Sequence, residues 1–235
     1  AKLKAVNAMC FDVSAACSGF ITALDIAASM LKAGSYKYAL VIGSEKMSEI
    51  VNWKDRSVCV LFGDGAGAVV LKAVDNNTED VTGALVGHER GIIDSNIYND
   101  GTGASVLTGG RRFSDSCSTD IFIHMDGQEV FKFAVKSVPT AIETLLHNNN
   151  MDINEVDKFI LHQANVRIIE SVAKRLKADK DKFPVNLNEY GNTSSASIPI
   201  LLDELNRNGS LKQGEKLVLA GFGAGLSWGS ILLVW

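Results

Sequence analysis

The run Phe11-Asp-Val-Ser-Ala-Ala-Cys17-Ser-Gly-Phe20 reads as a short strand, residues 9–13, that gives way to a helix with a cysteine at the junction. Residues 20, 21, 24, 27, 28 and 31 are apolar at the spacing of one helix face, which predicts a helix over 18–33, and Gly34 stands where such a helix stops. The first turn of a helix leaves backbone N–H groups unpaired, and its peptide dipoles align, so negative charge is favoured there. A cysteine at that point is expected to titrate below its ordinary value of about 8.5 and to act as a nucleophile. Ala15, Ala16, Ser18 and Gly19 are small enough to let a ligand approach. The competing reading is a buried, inert cysteine.

Outward from this junction, the 235 residues carry 46% hydrophobic and 21% charged side chains, with 21 glycines against 3 prolines, as in a globular α/β protein of one large or two small domains. No apolar run reaches the roughly 18 residues of a membrane helix, and the opening Ala1-Lys-Leu-Lys-Ala-Val lacks the pattern of an export signal. The cysteines, at 10, 17, 59 and 117, form neither a CxxC pair nor a zinc spacing, which fits a reduced, cytoplasmic setting without a metal. A net charge of −4 argues against nucleic acid as the main partner.

Residues 38–43 (YALVIG) form a wholly apolar run, as expected of a parallel strand covered on both faces. Strands are predicted at 58–62 and 66–73, around Gly63-Asp-Gly65-Ala-Gly67. That glycine run leads into a strand and not into a helix, so close backbone packing explains it better than phosphate binding. The polar stretch 75–80 is the predicted boundary between a first unit, 1–80, and a second, 81–235. In the second, strands are expected at 82–88 and 121–125, a long loop at 94–120 that is either a cover over a site or a mobile segment, and a helix over 128–147. A strand at 156–161 then meets a helix that lasts to 177 by way of His162-Gln-Ala-Asn165. A further helix, 194–208, follows Gly191-Asn-Thr193, and strands 217–222 and 227–234 close the chain.

The two halves echo each other. FDVSAACSGF matches FILHQANVRI as strand, turn and helix, and VLFGDGAGAVVL matches LAGFGAGLSWGSILL as strand, glycine turn and strand. A duplication places Cys17 and His162 at equivalent strand ends, where open α/β sheets bind ligands. Separately, His162 could be a core histidine and Asn192 a helix cap. Jointly, a thiol, an imidazole, a carboxamide and the amides of 223–225 match what acyl transfer through a thioester needs.

These segments, with Gly191-Asn-Thr-Ser-Ser-Ala-Ser and Gly221-Phe-Gly-Ala-Gly-Leu-Ser-Trp228-Gly, resemble the β-ketoacyl-[acyl-carrier-protein] synthase III family over nearly the whole chain. The resemblance implies a thiolase-like, duplicated α/β/α/β/α fold with its first half incomplete. The family's usual segment before the nucleophile strand is missing, and with it an adenine-stacking tryptophan and a phenylalanine lent by the dimer partner, so the chain is expected to be a fragment whose missing part could be a separate chain. It implies that Cys17 accepts an acyl group from acyl-CoA, that His162 and Asn192 stabilise the enolate of a decarboxylating malonyl-acyl-carrier protein, and that the Cys17 and Ala224 amides form the oxyanion hole. It further assigns Arg56 to the CoA adenine, Asn165 to pantetheine, Phe131 to the tunnel wall, and Lys132, Arg167, Lys174 and Arg175 to carrier-protein docking. A homodimer and no cofactor are implied, acyl-CoA being a substrate. Two alternatives stay open: a relative serving secondary metabolism, and an inactive fragment that only binds or scaffolds. A papain-like protease lacks support, because its cysteine signature is absent.

Overall fold

The chain is described by a computed structural model over residues 3–74, 90–109 and 121–235. Five helices and eight strands lie along it among the described residues: α1 Gly19–Lys32, β1 Tyr38–Lys46, β2 Asp64–Lys72, β3 Gly91–Asn99, β4 Leu107–Thr108, β5 His124–Met125, α2 Gly127–Asn148, β6 Lys158–Leu161, α3 Val166–Leu176, α4 Leu187–Tyr190, α5 Ser197–Arg207, β7 Lys216–Gly223 and β8 Ser227–Val234.

The strand period of two organises the core. In β7, Val218, Ala220 and Phe222 face a cluster built with α2 and α3, which includes Val138, Ile142, Ile169 and Val172. The alternate residues Leu217 and Leu219 face the other way, into a cluster with Phe20, Ile21 and Leu24 of α1 and Ile198, Leu201 and Leu202 of α5. A four-stranded sheet of order β3-β8-β7-β6 is thus covered on both faces, with β6 parallel to β7 and the other pairs antiparallel. On their far side α1 and α5 also pack against β1 and β2. Helix, sheet, helix and sheet make four successive layers.

Several expectations are corrected. Residues 38–43 do not form a parallel strand buried on both faces: β1 pairs antiparallel with β2, and its exposure alternates. The helices α1 and α5 cover only one face, leaving Tyr38, Leu40, Ile42 and Val70 exposed. Residues 9–13 form no strand; no described strand pairs with them, and Met9 and Phe11 are exposed. Residues 58–62 are turns, with a single bridge from Phe62 to Asn192. The segment 94–120 is not simply a loop, since Gly91–Asn99 is the edge strand β3. Its polar residues, which disguise the strand in sequence, tie layers together: Asn96 accepts from Ser230 and donates to the Ala141 carbonyl, and the Asp94 carboxylate accepts from Asn149. The boundary at 75–80, the strand at 82–88, residues 110–120 and Cys117 lie outside the described residues.

The glycines around Gly63 behave as packing residues. A Cβ on Gly63 would stand 2.2 Å from the Tyr190 carbonyl oxygen. Backbone bonds from Gly63 N to Asn192 O and from Asn192 N to Leu61 O, at 3.0 and 2.8 Å, hold the two loops together.

Candidate active site

Cys17, His162 and Asn192 all line one cavity of about 660 Å³. That volume is in the range of small-molecule sites. Each side chain reaches it by a different device.

Cys17 sits in a single 3-10 turn, Ala16–Ser18, that leads into α1, and Ala16 adopts a left-handed φ of 47°. Such a conformation is rare for a residue with a Cβ and raises the next side chain at a sharp turn. Gly221 and Gly223 continue the β7 face of Leu217 and Leu219 and so meet this turn. A Cβ on Gly223 would lie 2.8 Å from Cys17 N and 3.0 Å from Cys17 Cβ. The sulfur is therefore seated against a strand that has been pared to backbone.

The expected low titration of Cys17 is corrected. Its side chain is buried, and burial pushes the thiol up to about 11. Removing a thiolate from water costs more than the help it receives from the Ser194 hydroxyl and its own backbone, and the Glu45 carboxylate opposes ionisation further. The resting group is a thiol.

His162 follows β6 and is 1% exposed, against the edge of Phe222. Burial pulls its imidazole down to about 3, so at neutral pH the ring is uncharged. Its Nδ1 lies 2.7 Å from Ser197 Oγ, which also accepts from Gln163 N at 3.2 Å. This pairing occupies Nδ1 and leaves Nε2 for a substrate; with the serine hydroxyl as donor to Nδ1, the ring hydrogen sits on Nε2.

Asn192 is 7% exposed, and its Oδ1 accepts from Ser194 N at 2.9 Å. The cap-like bond and the functional reading are compatible: with Oδ1 occupied, Nδ2 remains as a donor. Ala224 lines the same cavity in the turn between β7 and β8. Among the described residues no acceptor meets its N–H.

The other sequence candidates divide. Phe131 and Asn165 line the cavity, and Asn165 also caps α3 by accepting from Arg167 N at 2.8 Å. Arg56 is exposed, and it is the neighbouring Ser57 that lines the cavity. Lys132, Arg167, Lys174 and Arg175 are all exposed on α2 and α3 and do not line the cavity, and Lys132 is paired with Glu129 at 2.7 Å. Sequence reasoning missed Glu45, Ser194 and Ser197, all of which touch the trio or its supports. The signals were present as an acid closing the apolar run 38–43 and as the serines of Gly191-Asn-Thr-Ser-Ser-Ala-Ser. No group of three or more His, Cys, Asp or Glu side chains among the described residues is placed to hold a metal ion. No described helix is long and apolar enough to cross a membrane.

Two sheets stacked through shared helices, with a cysteine from the turn before α1 and a histidine from the end of β6 on one cavity, define a thiolase-like protein. The family model described as 3-oxoacyl-[acyl-carrier-protein (ACP)] synthase III matches residues 11–101, and its C-terminal counterpart matches 146–235. A β-ketoacyl-[acyl-carrier-protein] synthase III of Clostridium acetobutylicum is 46% identical over 240 residues, covering 100% of this chain and 70% of the relative. The crystal structure of 3-oxoacyl-[acyl-carrier-protein] synthase III from Aquifex aeolicus superposes with a TM-score of 0.88 at 44% identity, over 100% of this chain and 70% of that one. A priming β-ketosynthase from the R1128 polyketide pathway gives 0.85 at 36% identity, over 99% and 68%. The chain belongs to the β-ketoacyl-[acyl-carrier-protein] synthase III family.

Proposed function

We propose that the chain carries out the priming condensation of fatty-acid synthesis, with Cys17 as nucleophile and His162 and Asn192 as donors to the malonyl thioester. The observation that supports this most is the convergence of those three side chains on one cavity. In the first step the Cys17 sulfur attacks the carbonyl of an acyl-CoA; the bond to CoA breaks, and the thiol proton leaves with the CoA sulfur. In the second, malonyl-acyl-carrier protein loses carbon dioxide. The enolate oxygen takes hydrogen bonds from His162 Nε2 and Asn192 Nδ2, and a neutral imidazole carries the one ring hydrogen that this needs. The carbanion then attacks the Cys17 thioester, a C–C bond forms as the C–S bond breaks, and the expelled thiolate takes a proton from solvent. The amides of Cys17 and Ala224 hold the tetrahedral oxyanion, where one such donor is worth about 2.7–4 kcal/mol.

Met47, Ile50, Ile123 and Phe131 give the cavity apolar lining, suited to an acyl chain, and Asn165 on the same lining would meet the pantetheine arm. Arg56 would meet the CoA nucleotide at the mouth. The scheme needs no cofactor, takes acyl-CoA and an acidic carrier protein as partners, and suits a homodimer in the reducing cytoplasm.

Radiolabelled acetyl-CoA should acylate the wild-type protein at Cys17, and Cys17→Ser should abolish the label. His162→Ala and Asn192→Ala should retain most acylation and lose malonyl decarboxylation. A wild-type protein that takes no acyl group contradicts the reading, and equal loss of both steps in the His162 and Asn192 variants contradicts the division of roles.

A further inference from the structure

The site contains an anion that the condensation scheme does not use. Positions 41, 43 and 45 of β1 face inward, and Glu45 lines the cavity with Cys17 and His162, the other two titratable groups there. Its Oε1 accepts from Ser195 Oγ at 2.5 Å and from Ser195 N at 3.3 Å. No cation pairs with it among the described residues.

Ser195 belongs to the turn that carries the catalytic carboxamide. Ser194, with a left-handed φ of 51°, donates its N–H to Asn192 Oδ1, and both residues line the cavity with Cys17. Strand β1 lies directly on this turn: a Cβ on Gly43 would stand 2.9 Å from both Ser195 O and Ala196 Cα. A strained turn holds its shape only where its surroundings over-determine it. The Glu45 carboxylate supplies two charge-assisted hydrogen bonds at that point, the stronger kind.

We propose that Glu45 is a positioning residue that locks the turn 192–196, so that the Asn192 carboxamide and the Ser194 hydroxyl are presented to the thioester on Cys17. A carboxylate in the cavity of Cys17 makes ionisation of the thiol harder, so the part assigned to Glu45 is the one its Oε1 plays in holding Ser195. The inference rests on the roles proposed for Cys17 and Asn192.

Three variants test it: Glu45→Gln, which keeps an oxygen acceptor but no charge, Glu45→Ala, which keeps neither, and Ser195→Ala, which removes the same bond from the other side. Acylation by radiolabelled acetyl-CoA, release of carbon dioxide from malonyl-acyl-carrier protein, and the pH profile of Cys17 alkylation by iodoacetamide are measured for each. Glu45→Ala and Ser195→Ala should slow decarboxylation by about tenfold or more with acylation little changed, as loss of a hydrogen bond to a charged group implies. Glu45→Gln should restore decarboxylation and move the alkylation profile to lower pH. Wild-type decarboxylation in Glu45→Ala, equal loss of both steps, no rescue by Glu45→Gln, or an unmoved alkylation profile overturns the proposal. Should Glu45→Ala not fold, Ser195→Ala and Glu45→Gln decide the question by the same three measurements. Failure of the wild-type protein to take an acyl group is a distinct result and removes the catalytic reading underneath.

Discussion

Cys17 and His162 are both held uncharged by burial, so the site at rest holds no thiolate–imidazolium pair. The consequence is measurable as stability against pH. The imidazole of His162 falls from an ordinary 6.5 to about 3 on folding, so between those values the unfolded chain binds a proton that the folded one refuses. Stability is complete above 6.5 and is lost as pH falls, by at most about 1.4 kcal/mol per pH unit from this group. Cys17 has the opposite sign: its folded value is raised from 9.0 to about 11, so its contribution is present below 9 and is lost as pH rises through 11. Urea midpoints should therefore be flat between about 6.5 and 9 as far as these groups act. The wild-type midpoint should drop between pH 7.5 and pH 5, above the range in which the exposed carboxylates of Asp55, Asp64 and Asp100 gain protons. His162→Gln should flatten that drop, and an identical drop in the variant would refute the assignment.

Elements place these residues by backbone proximity more than by side-chain fit. The β7 strand ends in Gly221-Phe-Gly223, and the two glycines let it lie against the 3-10 turn that carries Cys17. Gly223→Ala should cost about 1–3 kcal/mol in denaturant unfolding, as overpacking does, and should slow acylation of Cys17, because the new Cβ meets the nucleophile's own N and Cβ. Gly221→Ala, whose nearest neighbour is the Ile21 side chain at 3.0 Å, should be milder on acylation. Equal acylation rates in the two variants would speak against backbone seating of the sulfur. Elements with a clean apolar period were legible from sequence: α1, α2, β7 and β8 fall within a few residues of their predicted bounds. The failures have physical causes. The strand β3 spends Asp94, Ser95 and Asn96 on hydrogen bonds between layers, with Ser95 donating to Asp25, and so shows no apolar alternation. Residues 9–13 read as a strand by composition but have no described pairing partner, and pairing is what makes a strand.

At the scale of the molecule, Cys17, His162 and Asn192 line one cavity, as their placing at the mouths of elements in the sequence suggested, although the strand expected before Cys17 is not formed. The support from Glu45 was not legible, since a single acid at the end of an apolar run carries no period and its partner Ser195 is 150 residues away in sequence. Long-range charge is likewise invisible in a total of −4. On α3, Arg167, Lys174 and Arg175 are exposed, and Arg175 Nη1 donates to the Val135 carbonyl of α2, which draws that guanidinium toward the helix pair. A local cationic surface of this kind steers an acidic partner whatever the net charge. Reversing Arg167 and Lys174 together to glutamate should raise KM for malonyl-acyl-carrier protein while acylation by acyl-CoA stays close to wild type. The difference should shrink as salt rises, because exposed charges are screened beyond about 8 Å at physiological ionic strength. Lys132→Glu should have the smaller effect, its ammonium being already paired with Glu129. Docking on this face would be excluded by a double reversal that leaves KM for the carrier protein unchanged at low salt, since steering by these side chains is strongest there.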